Sequence, residues 1–302
     1  MNASYKAIIQ AYTQYLQTLG FAATTCYDFT RFIFYFLQYA EQKGIYEIKR
    51  ITAKTVHDYF AYAEQRRSER TKQTLSTAHL NRIFLALDKF LEFLHYQGLH
   101  NAPSPLKYQI DDSRKKPIQV LTTAEVQTLY NTVPLTLFYP RMGFAIREPR
   151  QMAVKLMLDL CYGCGMRRSE ALNLKLTDIN FEQRTIHIKQ GKNYKDRIVP
   201  MSKKVYEGIQ IFAYQYRRSF PAHRSSYLYP FGSAALAEAL EMLVKNCNDE
   251  KIKSKKPSLH TLRHSIATHL LQNGMNIENI ALFLGHSTLE STKIYTHIVN
   301  DL

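Results

Sequence analysis

The stretch LHTLRHSIATHLL, residues 259–271, decides how the end of this chain folds. Its apolar residues, among them Leu262 and Ile266, recur at helical spacing and predict an amphipathic helix packed on a core. His260 and Arg263 stand three residues apart, so their side chains share a face near the helix start. A histidine and an arginine beside free backbone N–H groups suit a phosphate. These residues alone also allow a helix-start histidine and a surface arginine without function.

The composition points to an anionic partner. The chain has 302 residues, which fits two domains, and 45% of them are hydrophobic, ample for packed cores. A formal net charge of +15 and a pI near 9.5 favour nucleic acid or an anionic membrane surface. No apolar run approaches the roughly 20 residues that a spanning helix needs, and the N-terminus has no signal-peptide pattern. We therefore expect a cytoplasmic protein without a membrane partner.

The first 110 residues predict an all-helical domain. Helical periodicity covers residues 2–19, 23–43, 53–65 and 74–97. The polar segment DDSRKKPIQ then predicts a linker over residues 111–120, ahead of a second domain over residues 121–302. Because both domains are basic, they could embrace a rod-shaped anion from opposite sides; simply solvated charged faces are the alternative.

The second domain is predicted to be mainly helical with one small sheet. The pattern indicates a long loop over 131–149 and helices over 150–163, 165–174, 203–218, 233–247, 259–273, 276–283 and 287–298. Residues 184–200, RTIHIKQGKNYKDRIVP, alternate apolar and polar side chains around GKN and predict a β-hairpin.

Two segments of this domain offer groups suited to a phosphate. In GCGMRRSEAL, residues 163–172, Arg167 follows a glycine-rich bend, and its planar guanidinium matches two phosphate oxygens. Glu170 stands three residues further on and can support Arg167 or a neighbour. At the hairpin tip GKNYK, Lys192 can bring an ammonium group to a leaving oxygen.

A last segment, GHSTLESTKIYTH at residues 285–297, contains a histidine and a late tyrosine. His286 follows a helix-ending glycine and stands nine residues before Tyr295.

The cysteines form no disulfide framework, and Cys161 and Cys164 make a lone C-x-x-C without the second pair of ligands that structural zinc needs. We expect these two cysteines to be buried as small apolar residues.

The order R…K…H-x-x-R…G-H…Y resembles that of the tyrosine recombinases, also called the phage-integrase family. Four segments carry the resemblance: CGMRRSEALNL, QGKNYKDRIVP, LHTLRHSIATHLL and LGHSTLESTKIYTHI. They are similar to the family's T-G-L-R-x-S-E, G-K-G-N-K-x-R-x-V-P-L, H-x-L-R-H and L-G-H…T-T-x-x-Y-x-H boxes. The resemblance is strong over about residues 150–302, and Xer-type recombinases and integrases of mobile elements are the close comparison.

The resemblance implies a mainly α fold with two parts. The N-terminal part would be a SAM-like helical bundle that binds DNA. The C-terminal part would be a mixed α/β catalytic domain of the DNA breaking-rejoining type with a small sheet. The implied activity is site-specific recombination or integration without metal, ATP or another cofactor.

The resemblance also assigns a nucleophile and its proton-transfer partners. Tyr295 would attack the scissile phosphodiester and leave a 3′-phosphotyrosine and a free 5′-hydroxyl. A phenol with a pKa near ~10 needs help at neutral pH, so His260 would exchange a proton with this oxygen. Lys192 would protonate the departing 5′-oxygen.

The remaining implied site residues stabilise charge on the phosphate. Arg167 and Arg263 would bind the nonbridging oxygens, and His286 would add a hydrogen bond there. Glu170 would support the arginines. Two arginines and a lysine would do the work that Mg²⁺ does in many phosphoryl-transfer sites, so no metal is implied.

Further basic residues are candidate contacts to the DNA backbone. They are Arg66, Arg67, Arg70 and Arg82 in the first domain and Lys195 and Arg197 in the second. Such contacts give salt-dependent affinity and carry little sequence information.

The implied partners are a double-stranded recombination site and three further protomers. The resemblance predicts a homo- or hetero-tetramer on two duplexes, with accessory recombination proteins as a further class of partner. Two other functions stay open at this point. One is a type IB topoisomerase, which uses a similar constellation on one duplex; the other is a non-catalytic DNA-binding protein of the same fold.

Overall fold

The computed structural model describes residues 1–68, 72–111, 118–135, 144–189, 196–220, 226–229, 231–286, 289 and 291–293. The chain divides into two compact units, Met1–Lys116 and Pro117–Leu302. No helix within these described ranges is long and apolar enough to cross a membrane.

The first unit is a bundle of amphipathic helices. Its helices are α1 Ala3–Thr18, α2 Ala23–Gln42, α3 Ala53–Gln65 and α4 Thr77–Tyr96. Side-chain oxygens of Asn2, Thr52 and Ser76 cap three of them by accepting from backbone N–H groups of the first turn. All four predicted helices are confirmed, with ends that differ by at most three residues.

Aromatic packing fills the core of this bundle. The ring of Tyr12 meets that of Phe90 edge-on at 5.3 Å, and its hydroxyl donates to the carbonyl of Ala86 at 3.0 Å. The hydrogen bond satisfies the polar end of a fully buried side chain, so the ring contributes apolar area without an unpaired group. Burial raises the pKa of Tyr12 and keeps its hydroxyl protonated.

The second unit combines helices with one small sheet. Its helices are α5 Thr123–Thr132, α6 Phe144–Leu158, α7 Arg168–Asn173, α8 Lys203–Ile211, α9 Ser233–Asn246, α10 Glu250–Lys255, α11 Leu259–Gln272 and α12 Ile277–Leu284. The strands are β1 Ile179–Asn180, β2 Thr185–Ile188 and β3 Arg197–Pro200, and they pair antiparallel in that order. The predicted mainly α fold with a small sheet is confirmed.

The predicted hairpin is present, with Ile186 opposite Val199 and both side chains buried. The sequence did not predict strand β1, because two residues are too few to show alternation. The loop predicted over 131–149 is wrong at both ends. Helix α5 continues to Thr132, and α6 begins at Phe144 and includes Pro149.

Helix α6 runs into a π-helical turn, Asp159–Gly163, that leads to the arginine-bearing bend. The Asp159 carboxylate is 1% exposed and accepts from Lys155 Nζ at 2.9 Å and Tyr130 Oη at 3.0 Å. These partners fix the start of the turn, although burial still raises the pKa of this carboxyl. Helix α11 packs against the same turn, which brings the two segments of greatest chemical interest together.

Candidate active site

Arg167 lies at the N-terminus of α7, immediately after a tight bend. Gly165 makes the bend with a φ of +58°, a left-handed conformation that glycine adopts without steric cost. Arg167 donates through its backbone N–H to Glu170 Oε2 at 2.8 Å and through Nη1 to Glu170 Oε1 at 2.7 Å. Its Nη2 donates to the carbonyl of Gly285 at 3.2 Å. The guanidinium is therefore held from two sides while its side chain keeps 29% of its surface exposed.

Glu170 is the anionic centre of the site. Its side chain is 6% exposed and receives hydrogen bonds from Arg167 and Arg197. Burial would raise the pKa of this carboxyl, but the hydrogen bonds and charge of Arg197 and Arg167 outweigh burial and hold the pKa at about 2. Glu170 is thus ionised at neutral pH and offsets the positive charge around it.

Arg263 projects from the first turns of α11, which begins with a reciprocal hydrogen-bond cap between Ser258 and Thr261. Its guanidinium donates to the carbonyls of Gly165 at 2.5 Å and Leu284 at 2.7 Å. Nη1 also lies 3.8 Å from Glu170 Oε2. Arg263 is only 3% exposed, so the alternative of a surface arginine is wrong.

His260 stands on the exposed side of the same helix. Loss of hydration lowers the pKa of its imidazole, and the positive charges of Arg263, Arg167 and Arg168 lower it further. The neighbouring His264 has a ring centroid 6.4 Å from that of His260. The pKa of His264 falls to about 4, because burial and then the charges of His260 and Arg263 disfavour the imidazolium. Both imidazoles are therefore predominantly neutral at pH 7.

Helix α12 ends in a Schellman motif that places His286. Gly285 adopts a φ of +66°, and its N–H donates to the carbonyl of Leu282 at 3.1 Å. The N–H of His286 donates to the carbonyl of Ala281 at 3.0 Å. His286 Nδ1 lies 2.7 Å from the hydroxyl of Thr292, which is fully buried. Sequence reasoning had given Thr292 no role.

The pKa of His286 is lowered to about 4, first by burial and then by the charges of Arg263, Arg167 and Arg197. A neutral imidazole has one N–H donor. A Thr292 hydroxyl that donates to Nδ1 leaves the ring proton on Nε2, whereas a hydroxyl that accepts from Nδ1 leaves Nε2 without a proton.

Arg197 is buried, which the sequence analysis did not predict. It had been a candidate contact to the DNA backbone, but its residue is 8% exposed and its guanidinium faces the protein. Nη1 and Nη2 donate to the two oxygens of Glu170 at 3.1 and 2.8 Å, and Nε donates to the carbonyl of Phe283 at 2.9 Å. The sequence did contain a signal that Arg197 is buried. Arg197 and Val199 stand two residues apart on β3, so both lie on the same face of the sheet, and Val199 is a core residue.

Several predicted site residues lie outside the residues that the structure describes. They are Lys192, Tyr295, Arg70 and Lys195, and most of the helix predicted over 287–298 lies there too. The described part of the site thus contains Arg167, Glu170, His260, Arg263 and His286, which the fold brings together from distant parts of the sequence.

The first unit has a basic cleft of its own. The cleft measures about 650 Å³, and Arg31, Arg66, Arg67 and His79 lie along it with the rings of Phe32 and Tyr35. The Arg66 guanidinium lies 4.4 Å from the centroid of the Tyr35 ring. Arg82 is partly exposed and pairs with Asp28 at 3.0 Å, and Asp28 also lies 3.4 Å from Arg31.

The cysteines behave as buried apolar residues. Cys26, Cys161, Cys164 and Cys247 are free and buried. Burial raises the pKa of Cys161 to about 12, so its thiol stays protonated. Within the described ranges, His, Cys, Asp and Glu side chains form no group of three or more that could hold a metal ion.

Comparisons with known proteins identify the family of this chain. The model of the phage integrase family matches residues 119–301. Tyrosine recombinase XerD of Halalkalibacterium halodurans is 29% identical over 92% of this chain and 88% of its own length. The Tn1549 transposon integrase in complex with transposon right end DNA has a TM-score of 0.68 at 19% identity, covering 95% of this chain and 94% of that one. The XerH recombinase bound to its difH substrate has a TM-score of 0.64 at 21% identity, covering 89% and 74% of the two chains.

The family match over residues 119–301 and the recombinase relatives define the class of this protein. The chain belongs to the phage integrase family. It is a tyrosine-type site-specific DNA recombinase, and DNA is its partner.

Proposed function

We propose that this recombinase cleaves one DNA strand through a 3′-phosphotyrosine on Tyr295 and rejoins it to a new 5′-hydroxyl. The observation that carries the proposal is the rigid placement of two guanidinium groups beside two neutral histidines. Arg167 and Arg263 share Glu170 and the end of α12, and His286 follows that end directly. Such preorganised donors stabilise charge that develops in a transition state without reorganising during the reaction.

The proposed cleavage step forms one bond to phosphorus and breaks another. The Tyr295 oxygen attacks phosphorus, and its proton passes to His260. The bond from phosphorus to the 5′-oxygen breaks, and Lys192 gives that oxygen a proton. Arg167, Arg263 and His286 bind the nonbridging oxygens while negative charge collects on them. Rejoining is the same step run backwards with another 5′-hydroxyl, so the conserved bond energy replaces ATP.

The lowered pKa values suit these roles. His260 must be neutral to accept a proton, and its surroundings favour that state. His286 with its proton on Nε2 can donate to a phosphate oxygen, while the Thr292 hydroxyl occupies Nδ1. Guanidinium groups remain charged throughout.

We infer that the basic cleft of the first unit contacts the DNA backbone. Guanidinium groups of Arg66 and Arg67 beside aromatic rings suit phosphate and sugar. The protein would act in the cytoplasm as a homo- or hetero-tetramer on two duplexes, with accessory proteins selecting the outcome. Arg82 and Arg70 are further candidates for the same surface.

A nicked suicide substrate tests the nucleophile. The duplex is built from DNA flanking the gene, so that cleavage releases a short oligonucleotide and traps the covalent adduct. Wild type should give a protein–DNA adduct in the presence of EDTA, and Tyr295→Phe should give none. The matched control is Tyr214→Phe, an exposed tyrosine of the same unit that should retain adduct formation. An adduct that persists in Tyr295→Phe excludes this assignment.

A further inference from the structure

The end of α12 holds three arginines at once. The consecutive carbonyls of Phe283, Leu284 and Gly285 accept from Arg197 at 2.9 Å, Arg263 at 2.7 Å and Arg167 at 3.2 Å. These arginines come from β3, α11 and the bend before α7, so parts that are distant in sequence converge on one helix end.

The helix end explains why these carbonyls are available. A helix leaves its last carbonyls without intrahelical partners. Here the Schellman bonds from Gly285 and His286 take the carbonyls of Leu282 and Ala281. The following carbonyls carry the partial negative charge of the helix C-terminus and point toward cations.

Arg197 differs from the other two arginines because it has no proposed contact with the substrate. Its guanidinium is fork-to-fork with Glu170, and both side chains are 6% exposed. Glu170 in turn holds Arg167 through both backbone and side chain. Arg197 therefore contacts both kinds of acceptor that hold the arginines of the site. These are the Glu170 carboxylate and, through the carbonyl of Phe283, the end of α12.

We propose that Arg197 is a positioning residue for the strand-transfer reaction: it locks Glu170 to the end of α12, so that Arg167, Arg263 and His286 meet the phosphate in a fixed geometry. The inference rests on the proposed phosphate-binding role of Arg167 and Arg263. A lysine at position 197 keeps the charge but cannot make the paired bonds and the bond to Phe283 together.

The test is single-turnover cleavage of the suicide substrate by Arg197→Lys. We expect cleavage to slow by about 100-fold, the size of effect produced by a misplacement of about 1 Å at a reacting centre. Non-covalent binding of the same duplex should stay within about twofold of wild type, because the Arg197 guanidinium is buried and faces the protein.

A matched control separates positioning from general destabilisation. Arg217 is another buried arginine of this unit, 7% exposed, and donates to the carbonyl of Tyr227 at 3.1 and 2.9 Å. Arg217→Lys should lower the melting temperature comparably and leave cleavage near wild type at a temperature where both variants are folded. Equal cleavage rates for Arg197→Lys and Arg217→Lys would overturn the inference.

A second substrate tests the proposed phosphate clamp, which consists of Arg167, Arg263 and His286. In a methylphosphonate a methyl group replaces one nonbridging oxygen, so the scissile group carries no charge for the arginines to neutralise. The defect of Arg197→Lys should shrink to less than about 10-fold on this substrate, since charge stabilisation then matters less. A defect of the same size on both substrates would show a purely structural role and overturn the inference.

Arg167→Ala distinguishes the failure of this inference from failure of the proposed function. If Arg167→Ala cleaves the phosphodiester as fast as wild type, the proposed phosphate-binding role of Arg167 is wrong. If Arg167→Ala is impaired and Arg197→Lys is not, that phosphate-binding role is supported and only the positioning role of Arg197 is wrong.

Discussion

Glu170 shows how one buried carboxylate can organise several cations. Removing a partner from a buried, hydrogen-bonded ion pair leaves an uncompensated charge, which costs more than the pair contributes. Glu170 is held by Arg197 and Arg167 and lies 3.8 Å from Arg263. The sequence placed Glu170 near Arg167 from their spacing, but nothing local could reveal a partner 27 residues away.

Thr292 provides a test of the His286 tautomer. Thr292→Val removes the hydroxyl while keeping the shape of a fully buried side chain. We expect single-turnover cleavage to fall about 10-fold or more, because His286 loses the hydroxyl that holds its ring, and the hydrogen-bond partners of metal-bound histidines are worth about 10–100-fold in metal affinity or activity.

Thr292→Ser is the matched control, since it restores the hydroxyl. Cleavage by the serine variant should recover most of the wild-type rate. If the valine and serine variants cleave equally fast, the hydroxyl has no part in orienting His286.

Two half-buried histidines make stability depend on pH. His264 and His286 have a pKa of about 4 in the folded protein, against about 6.5 when unfolded. Between these values the unfolded chain binds the protons more tightly, so their contribution is complete above pH 6.5 and falls as the pH drops toward 4. Urea unfolding of the protein from pH 7.5 to 4.5 measures this decline.

His264→Gln should flatten that pH dependence, because one of the two groups no longer titrates. His187→Gln is the comparison, since His187 lies exposed on β2 beside Asp196. An unchanged slope in His264→Gln would contradict the assignment.

At the level of elements, the bend before α7 and the end of α12 fit against each other. A Cβ added to Gly165 would lie 2.8 Å from Phe283 Cε1 and 3.0 Å from Leu284 Cδ2. The carbonyl of Gly165 also accepts from Arg263, so the backbone of the bend belongs to the site.

Gly165→Ala should therefore lower the free energy of unfolding by about 2–4 kcal/mol, combining left-handed strain with overpacking. Gly274→Ala is matched, because Gly274 has a φ of +84° and nothing within 4 Å of the added Cβ. It should lose only the backbone contribution of about 1–2 kcal/mol. Urea denaturation of both variants measures the difference, and equal losses would show that the bend tolerates the methyl group.

Elements with strong periodicity were predictable from the sequence, and those set by distant partners were not. The helices of the first unit followed from their apolar stripes, and the hairpin from its alternation. Residues 203–218 were predicted as one helix, yet the α-helix ends at Ile211 and continues as a π-helical turn and a short 3₁₀ turn. Hydropathy does not distinguish these helical forms here, because turns of 5 and 3 residues are too short to show a period.

At the scale of the whole molecule, each of the two units carries its own group of arginines. The first unit supplies an open cleft and the second a site of fixed, largely buried guanidinium groups. The sequence predicted the basic character of both, but charge alone did not separate exposed cations from internal ones. Arg67 is exposed at the cleft and Arg197 is buried, and the alternation of β3 was the sequence signal that distinguished Arg197.

Arg67→Gln should weaken DNA binding uniformly across sequences. Loss of one phosphate contact should reduce the slope of log affinity against log salt by about 1. Fluorescence anisotropy over a salt series measures the slope, and cleavage at saturating DNA should stay at the wild-type rate. Arg50→Gln is the control, an exposed arginine of the same unit that does not line the cleft. Identical slopes for the two variants would remove the cleft from the DNA-binding surface.

The convergence of three arginines on the end of α12 has a consequence for engineering. The exposed turn at Gly274 separates the strands and helices that carry the arginines from the short helix that carries their acceptors. A chain divided at this turn would yield two pieces. We expect each piece to be inactive alone, because one carries the arginines and the other carries the carbonyls that hold them. Fusing the pieces to proteins that associate on demand would make genome rearrangement conditional on their reunion.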